Sequence, residues 1–277
     1  MTINKIVQAY FSPTGGTKKI VTAAAAVLAQ ELNLPVETVD FTQPAGRAGA
    51  ILIPADALLV IGVPVYAGRV PNKLLPFVHE QIKGTGGPVV ALVSYGNRSF
   101  GDGLSELLME LGGNSFCPLA AGAFVCQHSM VAELGTGRPD EDDLKQLRAL
   151  AADAARRTRE ISDVSELAAP VVEGNTPPGS YYRPLEADGK PANFLKAKPK
   201  TDPDKCIRCG LCAKVCSMGS IDPDDVSSVP GICIKCQACV KHCPKGAKYF
   251  DDPSLLSHHE MLRNHYQAPN RNATYLF

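Results

Sequence analysis

The chain has 277 residues, of which 45% are hydrophobic and 20% charged, and its formal net charge is zero. This composition supports a folded core and argues against extended disorder. A neutral chain also lacks the basic excess that is typical of nucleic-acid binders. No apolar run approaches the roughly 20 residues of a membrane helix, and residues 1–10 predict a strand rather than a signal peptide. We therefore expect a cytoplasmic globular protein with no membrane span.

Residues 1–168 alternate short apolar runs with helical stretches. The expected strands are 3–11, 35–40, 57–65, 89–95 and 119–126, and the expected helices are 15–32, 72–81, 104–111 and 141–161. The run at 57–65 is almost wholly apolar, as is typical of a strand covered on both faces. Five strands interleaved with helices predict an α/β domain with a doubly wound, parallel five-stranded sheet.

The next stretch, residues 169–200, is proline-rich and has few periodic apolar residues. Its composition predicts a linker that lies extended on the surface, since glycine and serine would be expected in a free tether. Residues 201–253 contain most of the cysteines. Residues 254–277 predict one helix and an apolar tip, Tyr275 to Phe277, which we expect to dock back on the body because a solvated apolar tip would be unfavourable.

Eight of the ten cysteines lie between Cys206 and Cys243, in two C-x2-C-x2-C-x3-C runs. In a chain with no export signal, such spacing favours metal ligation over disulfides. Zinc is an alternative, but zinc sites usually contain separated C-x2-C pairs. The other two, Cys117 and Cys126, are expected to be buried thiols that pack as small apolar groups.

Three thiolates at three-residue steps on a tight loop can reach three corners of one [4Fe–4S] cluster. The fourth cysteine of each run lies past the loop and is expected to bind the other cluster. The predicted ligands are Cys206, Cys209, Cys212 and Cys243 for cluster one, and Cys233, Cys236, Cys239 and Cys216 for cluster two. Such an exchange would couple the folding of the two halves. The segment resembles the bacterial two-cluster ferredoxins, an α+β module, although Ser217 stands where their pattern has a proline.

A hydroxyl- and glycine-rich turn separates the first strand from the first helix. A helix N-terminus with free N–H groups favours an anion. The turn lacks the residue order of triphosphatase and dinucleotide loops, and it resembles the S/T-x-T-G-x-T loop that binds the terminal phosphate of FMN in flavodoxins. An ordinary N-cap and turn is the alternative. The candidate phosphate ligands are Ser12, Thr14, Gly15, Gly16 and Thr17.

Two further loops follow the third and fourth strands. In the flavodoxin-like strand order 2-1-3-4-5, these loops and the phosphate loop meet at the carboxyl edge of the sheet. The additional candidates for FMN binding are Pro64, Val65, Tyr66, Ala67, Gly68, Tyr95, Gly96, Asn97 and Arg98. Tyr66 is expected to stack on the isoalloxazine ring, with Tyr95 as the second candidate and ordinary packing as the alternative for both.

Two polar residues near these loops are interpreted as structural. Ser99 and Asp102 fit a helix capping box, so Asp102 is left outside the site. His128, after the fifth strand, is expected to be a solvated strand-end residue.

Together these segments resemble the fused flavodoxin–ferredoxin proteins, in which an FMN domain precedes a two-cluster ferredoxin module. The resemblance implies electron transfer between FMN and two [4Fe–4S] clusters. The alternatives are an FMN-dependent reductase of a small molecule fed by the clusters, and a redox sensor whose α/β domain is only a scaffold. Basic residues of the cysteine module suit a redox partner with an acidic surface, although a solvated face is the simpler interpretation. These residues are Lys205, Arg208, Lys214, Lys235, Lys241, Lys245 and Lys248.

Overall fold

The structure is a computed structural model that describes residues 2–277. Its largest element is a six-stranded sheet. The strands of this sheet are β1 (Lys5–Tyr10), β2 (Val36–Asp40), β4 (Ala57–Pro64), β6 (Pro88–Tyr95), β7 (Cys117–Val125) and β10 (Ala273–Leu276), and β3 (Ile51–Ile53) and β5 (Ile82–Gly84) form a separate parallel pair. The order in the large sheet is β10-β7-β6-β4-β1-β2.

The five parallel strands of this sheet have the predicted order. In it, β1 lies between β2 and β4, and β6 and β7 continue the sheet on the β4 side. Every residue of β4 and β6 is buried, because central parallel strands are covered by helices on both faces. The 2-1-3-4-5 order of a flavodoxin-like α/β domain is therefore confirmed.

Helices cover both faces of the sheet and enclose two apolar cores. One core includes α1 (Gly16–Leu32) and α4 (Glu141–Glu160), and the other includes α2 (Leu75–Gln81) and α3 (Gly103–Gly113). The second helix begins later than the predicted residue 72, because Pro71 to Leu74 form a turn in which the Leu74 N–H donates to the Pro71 carbonyl at 2.8 Å.

A sixth strand extends the predicted parallel five-stranded sheet. Strand β10 comes from the C-terminal tail and pairs antiparallel with β7. Tyr275 and Phe277 pack against the core, and the Phe277 N–H donates to the Leu119 carbonyl at 3.0 Å. The tail thus docks on the α/β domain and covers the backbone of what would otherwise be an edge strand.

The cysteine module is a small α+β unit. It contains the antiparallel strands β8 (Lys200–Thr201) and β9 (Lys248–Tyr249) and the short helices α5 (Leu211–Lys214) and α6 (Ala238–Lys241), and α7 (Pro253–His265) follows it. The helices α5 and α6 begin at equivalent places in the two cysteine runs. Among residues 2–277, no helix has both the length and the apolar character needed to cross a bilayer.

Candidate functional site

A cavity of about 640 Å³ lies where β1, β4, β6 and β7 end. All three predicted loops contribute to its wall, as expected for the carboxyl edge of such a sheet. The proline-rich segment and the cysteine module form the rest of the wall. The cavity is therefore enclosed between parts of the chain that are distant in sequence.

The predicted phosphate loop, residues 12–17, combines a left-handed turn with fixed hydroxyl groups. Gly15 has φ 91°, a conformation that favours glycine, and it directly precedes α1. Ser12 Oγ accepts a hydrogen bond from the Lys18 N–H at 2.8 Å, and Thr17 Oγ1 lies 2.7 Å from Ser94 Oγ. Because the first N–H groups of a helix have no partner within it, the loop directs donors toward the cavity that Thr14, Gly15, Gly16 and Thr17 line. Ser12 shapes the loop and does not line the cavity.

The second loop is a tight turn that carries Tyr66 on the cavity wall. Tyr66 and Arg69 exchange backbone hydrogen bonds at 2.9 and 3.2 Å. Ala67 and Gly68, between them, both have positive φ, as in a type I′ turn. Gly68 lies outside the cavity, and its carbonyl accepts from the Asp102 N–H at 2.8 Å. The turn conformation therefore explains the glycine at position 68, and no close contact with a ligand is needed to explain it.

Tyr66 also lies close to the second cysteine run. Burial, followed by the nearby thiols of Cys236 and Cys233, raises the pKa of Tyr66 well above its ordinary value. The phenol therefore stays neutral.

Tyr95 borders the cavity and is held by contacts at both its ring and its hydroxyl group. Its ring packs edge-on against Phe100, with centroids 5.5 Å apart, and its hydroxyl donates to the Arg271 carbonyl of the tail. Burial raises the pKa of Tyr95 to about 12. The tail thus fixes the polar end of Tyr95, and stacking of its ring on a ligand stays a prediction.

Asn97 is likewise bound to the tail. Its side-chain amide donates to the carbonyls of Tyr266 and Ala268 at 2.7 and 3.0 Å, and its Oδ1 accepts from the Asn270 N–H at 2.9 Å. The predicted role of Asn97 as a cofactor ligand is therefore corrected to one of anchoring the tail beside the site.

His128 lies on the cavity wall rather than in solvent, contrary to expectation. The backbone N–H groups of Met130 and Val131 donate to its Nδ1 at 3.2 and 3.1 Å, so the neutral ring carries its proton on Nε2. Burial lowers the pKa of His128 to about 3. Gly96 is packed so closely against this ring that a Cβ there would lie 2.4 Å from His128 Cδ2.

An ion pair fixes the second loop to α3. Glu106 is fully buried and accepts from Arg69 Nε at 2.9 Å and from the Val70 N–H at 2.8 Å. The Arg69 guanidinium also donates to the Gly179 carbonyl and lies 4.7 Å from the centre of the Tyr181 ring. The proline-rich segment is thus held against the loop.

Asp102 also holds the proline-rich segment in place. It accepts hydrogen bonds from the backbone N–H groups of Asn175 and Gly179 at 2.9 and 2.8 Å. Burial by itself would raise the pKa of Asp102, but these hydrogen bonds outweigh it and lower the pKa. The predicted capping box with Ser99 is wrong, since Asp102 makes no side-chain cap to its helix and instead anchors the segment that covers the site.

Replacing Glu106 by glutamine is expected to lower the free energy of unfolding by about 3 kcal/mol, because Arg69 would remain largely buried without its counter-charge. Urea denaturation measures the change. Glu160→Gln removes an exposed pair with Arg156 and is expected to cost about 0–1 kcal/mol. Equal losses in the two variants would contradict the structural role of the buried pair.

The cysteine module makes direct contacts with the α/β domain. Arg47 Nη2 donates to the Ser217 carbonyl at 2.5 Å, and Lys241 Nζ donates to the His128 carbonyl at 3.3 Å. His242 Nε2 lies 3.3 Å from the Pro13 carbonyl in the phosphate loop. These contacts place the module beside the cavity.

The eight clustered cysteines surround two smaller cavities. One is lined by Cys206, Cys209, Cys212 and Cys243, and the other by Cys216, Cys233, Cys236 and Cys239. Each set combines three cysteines of one run with the fourth of the other, which is the arrangement that crossed ligation requires. All ten cysteines are unpaired thiols. No group of three or more His, Cys, Asp or Glu among residues 2–277 is spaced to hold a single metal ion.

Backbone N–H groups point at the last cysteine of each run. The Ser220 N–H donates to Cys216 Sγ, and the Ala247 N–H donates to Cys243 Sγ, both at 3.2 Å. Such donors stabilise a thiolate. Four thiols around each cavity, with N–H donors to sulfur, fit the chemistry of an iron–sulfur cluster.

Comparison with known proteins identifies the cysteine module. Residues 205–247 match the 4Fe-4S dicluster domain family. No curated protein shows significant sequence similarity to the chain.

Several solved flavodoxins resemble the α/β part. An archaeal flavodoxin shares 15% identity, with 56% of this chain and 99% of that chain covered and a TM-score of 0.42. A short-chain flavodoxin associated with a bacterial microcompartment shares 17% identity over 57% and 99% of the two chains, with a TM-score of 0.39. The two-electron reduced flavodoxin of Megasphaera elsdenii shares 18% identity over 55% and 98%, with a TM-score of 0.33. At such scores, the fold class rests on the strand order of this chain.

The chain therefore combines a flavodoxin-like α/β domain with a C-terminal 4Fe–4S dicluster domain. This combination fits the fused flavodoxin–ferredoxin proteins that its sequence resembles.

Proposed function

We propose that this protein transfers electrons between two [4Fe–4S] clusters and FMN. The observation that supports the proposal is that two cavities share part of their walls. Ile232, Cys233 and Ile234 line the second cysteine cavity and also the large cavity that contains the phosphate loop. A cluster bound by Cys233 and a ligand of the large cavity would thus be separated only by this segment.

The chain's own residues fit each part of this role. Gly15, Gly16 and the hydroxyl of Thr14 suit the phosphate of FMN, and Tyr66 is one of the aromatic residues on the cavity wall that could stack on the flavin ring. The eight cysteines supply the cluster ligands. FMN accepts one or two electrons and the clusters exchange single electrons, so the bound cofactors provide the redox chemistry.

An external partner is expected to meet the protein at the first cluster site. Cys209 and Ile207 are exposed there, whereas Cys233 and its neighbours face the large cavity. Lys205, Arg208 and Lys245 surround this site in sequence and favour a partner with an acidic surface. Reduced thiols of this kind favour a cytoplasmic location.

Addition of less than one equivalent of a one-electron reductant to the fully loaded protein tests the proposal. Because the module is fixed against the α/β domain, flavin and cluster absorbance are expected to equilibrate at a rate that is independent of protein concentration. Stopped-flow spectroscopy over a tenfold range of concentration measures this rate. A rate that rises in proportion to concentration would mean that electrons move between molecules, and would contradict the proposal.

An FMN-dependent reductase fed by the clusters is the second candidate. His128 favours this function. Its Nδ1 accepts from the backbone, and its Nε2–H, on the cavity wall, has no hydrogen-bond partner within residues 2–277. A turnover screen with small oxidised substrates separates the two functions, since a pure carrier would show no turnover without a protein acceptor. Flavin analysis of the purified protein tests the third interpretation, a scaffold without FMN.

A further inference from the structure

The two cysteine runs have the same backbone conformation but differ at one informative position. Between the second and third cysteines, Gly210 has φ 72° and Gln237 has φ 65°. Glycine adopts this left-handed conformation readily, whereas a residue with a side chain does so at an energetic cost. The second run therefore has glutamine at a position where the first run reaches the same backbone conformation with glycine.

Gln237 is buried in the wall of the second cysteine cavity. Only 6% of Gln237 is exposed, and it lines this cavity together with Cys216, Cys236 and other residues. Its Nε2 is buried and has no hydrogen-bond partner within residues 2–277. A buried amide without a partner is unfavourable, so the group requires an acceptor that the protein atoms do not supply.

The equivalent position in the first run offers no such donor. Gly210 lines the first cysteine cavity, and a Cβ added there would meet no atom within 4 Å. At this position, therefore, only the second site has a side-chain N–H group. A further difference is the Ser217 hydroxyl, which lies 3.6 Å from Cys236 Sγ at the second site, whereas Pro244 lines the first.

We propose that Gln237 donates a hydrogen bond from Nε2 to a sulfur atom of the cluster held by Cys216, Cys233, Cys236 and Cys239, and that this bond raises the reduction potential of that cluster. The inference rests on the proposed function, because it requires that these cysteines bind a [4Fe–4S] cluster. Hydrogen bonds to sulfur stabilise the more negative, reduced state. Gln237 is a tuning residue and is not a cluster ligand.

The position of the second site explains why it needs such a donor. The second cysteine of the run is exposed at the first site, where it is Cys209, and only half-buried at the second site, where it is Cys236; the third cysteines, Cys212 and Cys239, are both buried. Loss of solvent disfavours the more highly charged reduced cluster. Gln237 offsets this effect at the site that adjoins the large cavity, which helps electrons arriving at the exposed first cluster to move inward.

The test compares the full-length protein, loaded with iron and sulfide under anaerobic conditions, with Gln237→Met. Methionine keeps a long unbranched side chain in the same backbone conformation but has no N–H donor. EPR-monitored redox titration is expected to show one of the two cluster potentials lowered, with about a tenfold decrease in its reduction equilibrium constant, or about 59 mV for one electron. The other potential should be unchanged. Gln30→Met, which alters an exposed glutamine on α1, serves as the control.

A second measurement keeps the inference testable if Gln237→Met fails to hold its clusters. In reduced wild-type protein labelled with ¹⁵N at glutamine side chains, hyperfine spectroscopy is expected to detect a ¹⁵N nucleus coupled to a cluster. Two unchanged potentials in a fully loaded Gln237→Met protein, or no ¹⁵N coupling in loaded wild-type protein, would overturn the inference while leaving the proposed function intact. Wild-type protein that binds no iron and sulfide would overturn the proposed function itself.

Discussion

Replacing Cys243 by serine is expected to remove the cluster of the first cavity, although Cys243 belongs to the second run. Cys243 lines that cavity together with Cys206, Cys209 and Cys212. Wild-type protein prepared anaerobically should contain about eight iron and about eight sulfide per chain, as two [4Fe–4S] clusters require. Cys243→Ser and Cys206→Ser should each lose about half of both. Because the two sites exchange ligands, the remaining cluster should also be less stable.

Iron, zinc and acid-labile sulfide measured on the same sample give the result. Cys117→Ser is the matched control, since this thiol lies at the start of β7, apart from both cysteine cavities, and should leave the iron content unchanged. Tightly bound zinc with no sulfide in the wild-type protein would contradict the cluster assignment.

The double substitution Thr14→Ala and Thr17→Ala is expected to weaken FMN binding by about tenfold or more. Each hydroxyl contributes on the order of 1 kcal/mol net, and about 1.4 kcal/mol corresponds to a factor of ten. The Thr17 change should also lower the stability of the fold, because it leaves the buried Ser94 hydroxyl without its partner. Fluorescence titration of the flavin-free protein with FMN and with riboflavin measures both affinities.

The comparison with riboflavin shows whether the loop recognises phosphate. Wild-type protein should prefer FMN over riboflavin and FAD, and the double variant should lose most of the preference for FMN over riboflavin. Thr22→Ala, on the exposed side of α1, should change neither affinity. Equal affinity of wild-type protein for FMN and riboflavin would mean that the loop does not bind the phosphate group.

Several features of the fold could be predicted because they depend on short-range sequence patterns. The apolar run that became β4 is buried throughout, and only a central parallel strand requires such a run. The glycine-rich turn before α1 is specified by local conformation, with Gly15 in the left-handed region. The cysteine spacing predicted which thiols share a cavity, because three-residue steps on a loop leave few arrangements.

Apart from the start of α2, the features that sequence analysis missed involve residues whose surroundings come from segments distant in sequence. Tyr95 and Asn97 follow β6 as expected, but their polar groups bind residues 266–271 of the tail. Asp102 has the spacing of a capping residue, yet it anchors Asn175 of the proline-rich segment. His128 follows the last parallel strand and was expected in solvent, but other segments bury it. No local sequence pattern shows whether such a polar side chain will bond to a distant segment of the chain or to water.

The parallel strand order was expected from the resemblance to flavodoxins. The sequence patterns by themselves determined the two-part organisation, the alternation of strands and helices, and the sets of cysteines that surround each small cavity. These properties follow from strand periodicity, turn chemistry and ligand spacing, which act over a few residues. Only the tertiary structure decided that the tail adds a sixth strand and that Cys233 separates the second cysteine cavity from the large one. It also decided that the Gln237 amide is buried there without a protein partner. Those properties depend on how distant segments pack against each other, since burial and hydrogen bonding are settled only when the whole chain has folded.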